Sequence, residues 1–172
     1  MSNTRFIYFT RGGNTEALAM HMNLQVDDSS IDKLEGNTFE NVFCGFLRAG
    51  RAAMGNRTEE VELPITDIDE NDTLVLLSPI WGGRWPPAVN GALEKIAQLP
   101  GNNKVYVVGR CGGSASTNAF DICREKLGEK FVAYLRVSDS DAVDLNTNEF
   151  VNDFIHLIQA REIPEDQMLN RS

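Results

Sequence analysis

Cysteine is scarce in this sequence: Cys44, Cys111 and Cys123 form no C-x-x-C pair. An odd number without paired spacing argues against a disulfide framework and against a thiolate zinc site, so reduced thiols are expected. Histidine is scarcer still, with His21 and His156 far apart in helical patterns, and no metal is expected because nothing has ligand spacing. No apolar run approaches the roughly 20 residues needed to cross a bilayer, and the first residues lack a basic stretch leading into a long apolar one. A cytoplasmic protein with no membrane partner is the expectation. Positive charge is also in short supply. Sixteen Lys and Arg face 25 Asp and Glu, a formal net charge of −9, which disfavours a nucleic-acid partner. The deficit is uneven, because residues 138–172 carry two arginines against eight carboxylates. That stretch is a solvated acidic face or one turned to a partner. Two nucleotide motifs are missing as well: neither the P-loop G-x-x-x-x-G-K-S/T nor the dinucleotide G-x-G-x-x-G occurs.

What is present is alternation. Short continuous apolar runs take turns with longer stretches of period near 3.6, the signature of β-α-β units. Strands are expected at residues 4–9, 73–78, 104–109 and 131–137, with a weaker extended segment at 24–27. Residues 73–78 are apolar on both faces, as a central parallel strand covered by helices requires. Helices are expected at 14–22, 38–54, the stretch after Pro86 and Pro87 through Ile96, 118–127 and 149–160. At 172 residues and 42% hydrophobic side chains, the chain suits one domain, 1–172, with a polar tail from 162 that frays. The expected class is α/β: a three-layer doubly wound sandwich on a five-stranded parallel sheet.

In an open parallel sheet, ligands sit beyond the carboxyl ends of the strands, where the connections switch sides. Three loops lie there. After the first strand, Thr10-Arg11-Gly12-Gly13-Asn14-Thr15 runs straight into a helix. Its glycines let backbone N–H groups converge, Thr10, Asn14 and Thr15 add side-chain donors, and the helix start adds partial positive charge. Such residues suit a phosphate; an ordinary strand-to-helix turn with an Asn cap would use them too. After the central strand comes Ser78-Pro79-Ile80-Trp81-Gly82-Gly83-Arg84-Trp85-Pro86-Pro87, where large aromatics in a glycine-bearing loop can flank a flat heteroaromatic ring. Alternatively, Trp81 or Trp85 packs beneath the following helix. The third loop is Arg110-Cys111-Gly112-Gly113-Ser114, whose glycines allow main-chain groups close to a ligand edge.

These three motifs, in this order, resemble the flavodoxin family over residues 4–160. TRGGNT is similar to its phosphate loop Ser/Thr-x-Thr-Gly-Asn-Thr, SPIWGG-x-x-PP to its flavin-flanking loop, and the glycines after Cys111 fall where its third flavin loop lies. The resemblance implies strand order 2-1-3-4-5 and FMN as cofactor. It implies that Thr10, Arg11, Gly12, Gly13, Asn14 and Thr15 hold the phosphate. Pro79, Ile80, Trp81, Gly82 and Gly83 would then line one side of the ring, with Arg110, Cys111, Gly112 and Gly113 on the other. Gly12 replaces the family's usual threonine, removing a hydroxyl. The third loop lacks the stacking tyrosine, which leaves Trp81 or Trp85 to cover the ring. Arg11, Arg84 and Arg110 bring cations where electron-carrying relatives place carboxylates.

Three functions remain open. The leading one is an electron carrier that exchanges one or two electrons with a redox partner protein. The second is a stand-alone reductase that oxidises a nicotinamide cofactor and reduces quinone- or nitro-type acceptors. The third is a flavodoxin-fold module without flavin. A phosphoacceptor domain is disfavoured, since it needs acids at the end of the first strand, where this chain has Thr10-Arg11. A thiol enzyme using Cys111 lacks an evident helper histidine.

Overall fold

The computed structural model describes residues 3–36, 57–112 and 117–169. The helix expected at 38–54, with Cys44, lies outside these residues, as does Gly113. In chain order the elements are β1 (Thr4–Tyr8), α1 (Asn14–Asn23), β2 (Ser29–Lys33), β3 (Thr73–Pro79), α2 (Pro87–Ala97), β4 (Lys104–Cys111), α3 (Thr117–Leu127), β5 (Phe131–Ser138), α4 (Glu149–Ala160) and β6 (Met168–Leu169).

All the strands are parallel, and the sheet order is β2-β1-β3-β4-β5-β6. The first five follow the expected order. The sixth corrects the expectation of five strands, and it draws Met168–Leu169 from the expected tail into the sheet. Tyr134 N–H donates to Gln167 O, and Met168, buried, pairs with Tyr134 on the edge of β5. A two-residue strand among polar neighbours has no alternation to betray it. The second strand also lies later than expected. Leu24 instead closes α1, its N–H donating to Met20 O, while β2 is the sequence SSIDK with Ile31 as its one apolar residue.

Alternation along the strands sorts the core into two halves. Ile7, Leu74, Leu76, Val105 and Val107 face α2 and α3, whereas Phe6, Val75, Leu77, Tyr106 and Val108 face α1 and α4. Period-two side-chain direction produces this split, and helices on both faces explain why the central strands are apolar throughout. Helix ends are fixed locally. Asn148 accepts from Val151 N–H to cap α4. At its far end, Tyr106 Oη donates to Leu157 O and Glu162 O. Burial pushes that phenol up to about 12, so it remains a donor at neutral pH. The segment leading into β3 crosses α2 so closely that a Cβ on Gly91 would stand 1.9 Å from Glu59 O. Glycine is required there.

The chain places β2 on one side of β1 and β3 on the other, so the connections reverse at the β1/β3 boundary. That boundary is the switch point, and it positions the loops described next.

Candidate cofactor site

Beyond β1, Phe9 N–H still donates to Leu77 O (2.9 Å), which ties the strand end to β3. The chain then turns. Thr10 Oγ1 accepts from Gly13 N–H at 3.0 Å, and Gly13 sits in the left-handed region at φ 84, a conformation that glycine reaches without the Cβ penalty. The first intrahelical bond of α1 runs from Ala17 N–H to Gly13 O. The N–H groups before it therefore have no helical acceptor, and the N-cap residue, a glycine, offers no side chain to them. The cap is Gly13 rather than Asn14, which is exposed. A Cβ placed on Gly12 or Gly13 would meet nothing within 4 Å. The result is a helix start that is open above its glycines. Glu16 in the first turn accepts from Tyr8 Oη at 3.0 Å; burial and then this carboxylate raise the Tyr8 phenol pKa.

The second loop is a closed hairpin. Trp81 N–H donates to Arg84 O (2.9 Å) and Arg84 N–H to Trp81 O (3.3 Å), with Gly82 at φ 59 and Gly83 at φ 80. Two exchanged bonds around two positive φ values define a type I′ turn, which explains the Gly-Gly pair. Trp81 is half-buried and meets Phe9 edge to face at 6.1 Å. Trp85 is different: it is wholly buried, its Nε1 donates to Ala119 O at 2.9 Å, and its ring packs against Tyr134. Trp85 is therefore core, and the expectation that either tryptophan could cover a ligand narrows to Trp81. Pro79 and Ile80 complete this strand end, Ile80 N–H donating to Arg110 O at 2.7 Å.

That bond brings the third loop alongside. Arg110 places Nε and Nη2 each 3.1 Å from Asp139 Oδ1. The Asp139 N–H in turn donates to Cys111 O, and a Cβ on Gly112 would lie 3.5 Å from Asp139 Oδ2. Arg110 is thus a paired cation, which corrects the picture of three arginines adding bare charge. Cys111 is buried and Gly112 exposed. Sequence reasoning missed Asp139 and Phe9. Asp139 follows directly on β5, and strand order alone sets it beside the third loop. For Phe9 the signal was its place at the end of the expected first strand, directly before the glycine loop.

The described ends of the three loops therefore meet at one edge of the sheet, around its switch point. Among the described residues, no group of His, Cys, Asp and Glu is arranged to hold a metal, and no helix is long and apolar enough to cross a membrane.

Comparison with protein-family models finds no match, nor does comparison with curated proteins. Solved structures do match. A flavodoxin from Streptococcus pneumoniae TIGR4 superposes with a TM-score of 0.55 at 15% identity, covering 94% of this chain and 100% of its own. The fold is flavodoxin-like. A flavoprotein from Lactobacillus acidophilus NCFM, solved in complex with FMN, shares this flavodoxin-like architecture at a TM-score of 0.65 and 17% identity. The match covers 79% of this chain and 93% of that one. An NAD(P)H:quinone oxidoreductase from Methanothermobacter marburgensis also shares it, at 0.52 and 13% identity, over 96% and 100% of the two chains.

Proposed function

We propose that the chain binds FMN at the β1/β3 switch point and exchanges one or two electrons with a redox partner. The observation that carries this reading is the meeting of a glycine-capped α1 start, open above Gly12 and Gly13, with a closed hairpin bearing half-buried Trp81. The donor set fits a phosphate monoester: backbone N–H groups at a helix N-terminus favour an anion by geometry and by dipole. Thr10, Arg11, Gly12, Gly13, Asn14 and Thr15 hold that phosphate. Pro79, Ile80, Trp81, Gly82 and Gly83 line one side of the isoalloxazine, and Arg110, Cys111 and Gly112, followed by Gly113, line the other. When bound, FMN supplies the electron chemistry, and the protein supplies orientation and electrostatics. Trp81, braced by Phe9, orients the ring and keeps water from one side. The Arg110–Asp139 pair holds the third loop without adding net charge.

A second reading, a stand-alone NAD(P)H-dependent reductase of quinone- or nitro-type acceptors, is favoured by Arg84, whose charge has no ion-pair partner among the described residues and suits an anionic substrate. The test of FMN binding is direct. Purified protein titrated with FMN should quench the cofactor's fluorescence and acquire a structured flavin absorption band. A colourless protein that leaves free FMN unchanged would reduce the chain to a flavodoxin-fold module without flavin. Anaerobic NAD(P)H oxidation with a quinone then separates carrier from reductase.

A further inference from the structure

Many basic side chains among the described residues are already answered. Arg5 reaches Asp72 and Asp67, Lys33 reaches Glu35, Arg110 reaches Asp139 and Lys126 reaches Glu94. Lys104 and Lys130 donate to carbonyls at helix ends, and Arg124 lies over the Phe120 ring. Arg84 is half-buried, yet its guanidinium makes no ion pair or hydrogen bond with any described residue. An arginine whose stem is partly buried while its charged head has no protein acceptor leaves that head available to a ligand. A ligand anion would supply what is missing.

The hairpin sets where that anion would sit. Trp81 and Arg84 close the turn opposite each other, and such pairs carry their side chains on one face with Cβ atoms about 4.5–5.5 Å apart. The turn is fully formed, with both inner residues at positive φ and both closing bonds made. The molecule's net charge of −9 does not forbid an anion here, because exposed charges farther away than about 8 Å are largely screened at physiological ionic strength.

We propose that Arg84 recognises an oxyanion, whether carboxylate, sulfonate or phosphate, on a small redox substrate brought against the flavin that Trp81 flanks. The inference rests on the FMN reading and specifies which substrates that site selects. An arginine suits the task because its planar fork can donate two parallel N–H bonds to one oxyanion. The electron step balances without another reactant. With FMN bound and reduced, its two electrons and two protons would pass to a quinone, giving the hydroquinone and oxidised FMN. The oxyanion can belong to such an acceptor or to the donor, as the 2′-phosphate of a nicotinamide dinucleotide.

The experiment compares FMN-loaded wild type with Arg84→Gln and Arg84→Lys under anaerobic conditions. In one arm, dithionite-reduced protein is mixed with a sulfonated naphthoquinone or its neutral parent. In the other, oxidised protein is mixed with NADPH or NADH. Arg84→Gln is expected to slow the charged member of one pair tenfold or more and its uncharged or less charged counterpart less than twofold, with Arg84→Lys between. The responding arm identifies the source of the oxyanion. In the same arm a redox-inert probe, 2-naphthoate for the acceptor or adenosine 2′-phosphate for the donor, should bind about tenfold more weakly by its perturbation of the flavin spectrum. Equal slowing of both members in both arms, or unchanged probe affinity, would overturn the proposal. Electron transfer to none of these molecules by a protein with an intact flavin spectrum would overturn it too, while leaving FMN binding standing. Absence of a flavin spectrum before any mixing marks failure of the FMN reading itself, and the proposal falls with it.

Discussion

A single missing hydroxyl bears on how firmly the first loop can hold a phosphate. Gly12 lies outside the left-handed region, and a Cβ there meets nothing, so threonine fits without strain. Gly12→Thr is expected to tighten FMN by about two- to tenfold, the worth of one net hydrogen bond at about 0.5–1.5 kcal/mol. Fluorescence titration of FMN against both proteins checks this; equal dissociation constants would mean that the residue 12 side chain does not reach the phosphate. Asp139 poses the converse question. Its carboxylate neutralises Arg110, whose side chain is 15% exposed. Asp139→Asn leaves that cation uncompensated beside the ring, where it favours the anionic reduced form. The midpoint potential of the bound flavin should therefore rise, as followed by spectroelectrochemical titration. An unaltered potential would place Arg110 too far from the ring to act on it.

At the scale of elements, what the sequence reveals depends on how burial is distributed. The strands now labelled β3, β4 and β5 are legible because helices cover both faces and force continuous apolar runs. The edge strand β2 is not, since its hydrogen bonds to β1 hold it in place while its side chains stay half-exposed. In the candidate site the three loops were legible from their glycines and their place after strands. The division of labour between Trp81 and Trp85 was not, because the two share one loop and only the hairpin geometry turns one outward and one inward. Surface links between elements titrate. Glu94 on α2 bonds to Lys126 on α3 and accepts from Thr58; the Lys126 bond is the main cause of its lowered pKa. A carboxylate lowered on folding stabilises the native state above its unfolded pKa, near 4.3, and loses that stabilisation as pH falls through the lower folded value. The side chain is 43% exposed, so screening keeps the effect to a few tenths of a kcal/mol. Urea unfolding of wild type and Glu94→Gln should differ by that amount at pH 7 and converge near pH 3. A constant difference would assign the effect to packing.

At the scale of the molecule, the last described residues act as part of the sheet. Met168 is 6% exposed, and Gln167 bonds to β5 twice, through its backbone O to Tyr134 N–H and through its side chain to Phe131 O. A chain ending after Ile163 keeps the Glu162 carbonyl that Tyr106 uses but loses β6. The loss should cost about 2–4 kcal/mol, mostly the burial of one methionine together with these bonds. Thermal unfolding checks it, and an unchanged midpoint would show that β6 adds nothing.

The contrasting settings of the two tryptophans also equip the protein with a pair of optical probes. Trp85, sealed in the interior, emits at short wavelength and shifts to the red only when the core opens. Trp81, at the rim, senses whatever arrives beside it and transfers its excitation to an adjacent absorber. Replacing Trp81 with phenylalanine leaves emission that follows global denaturation, and replacing Trp85 leaves emission that follows docking.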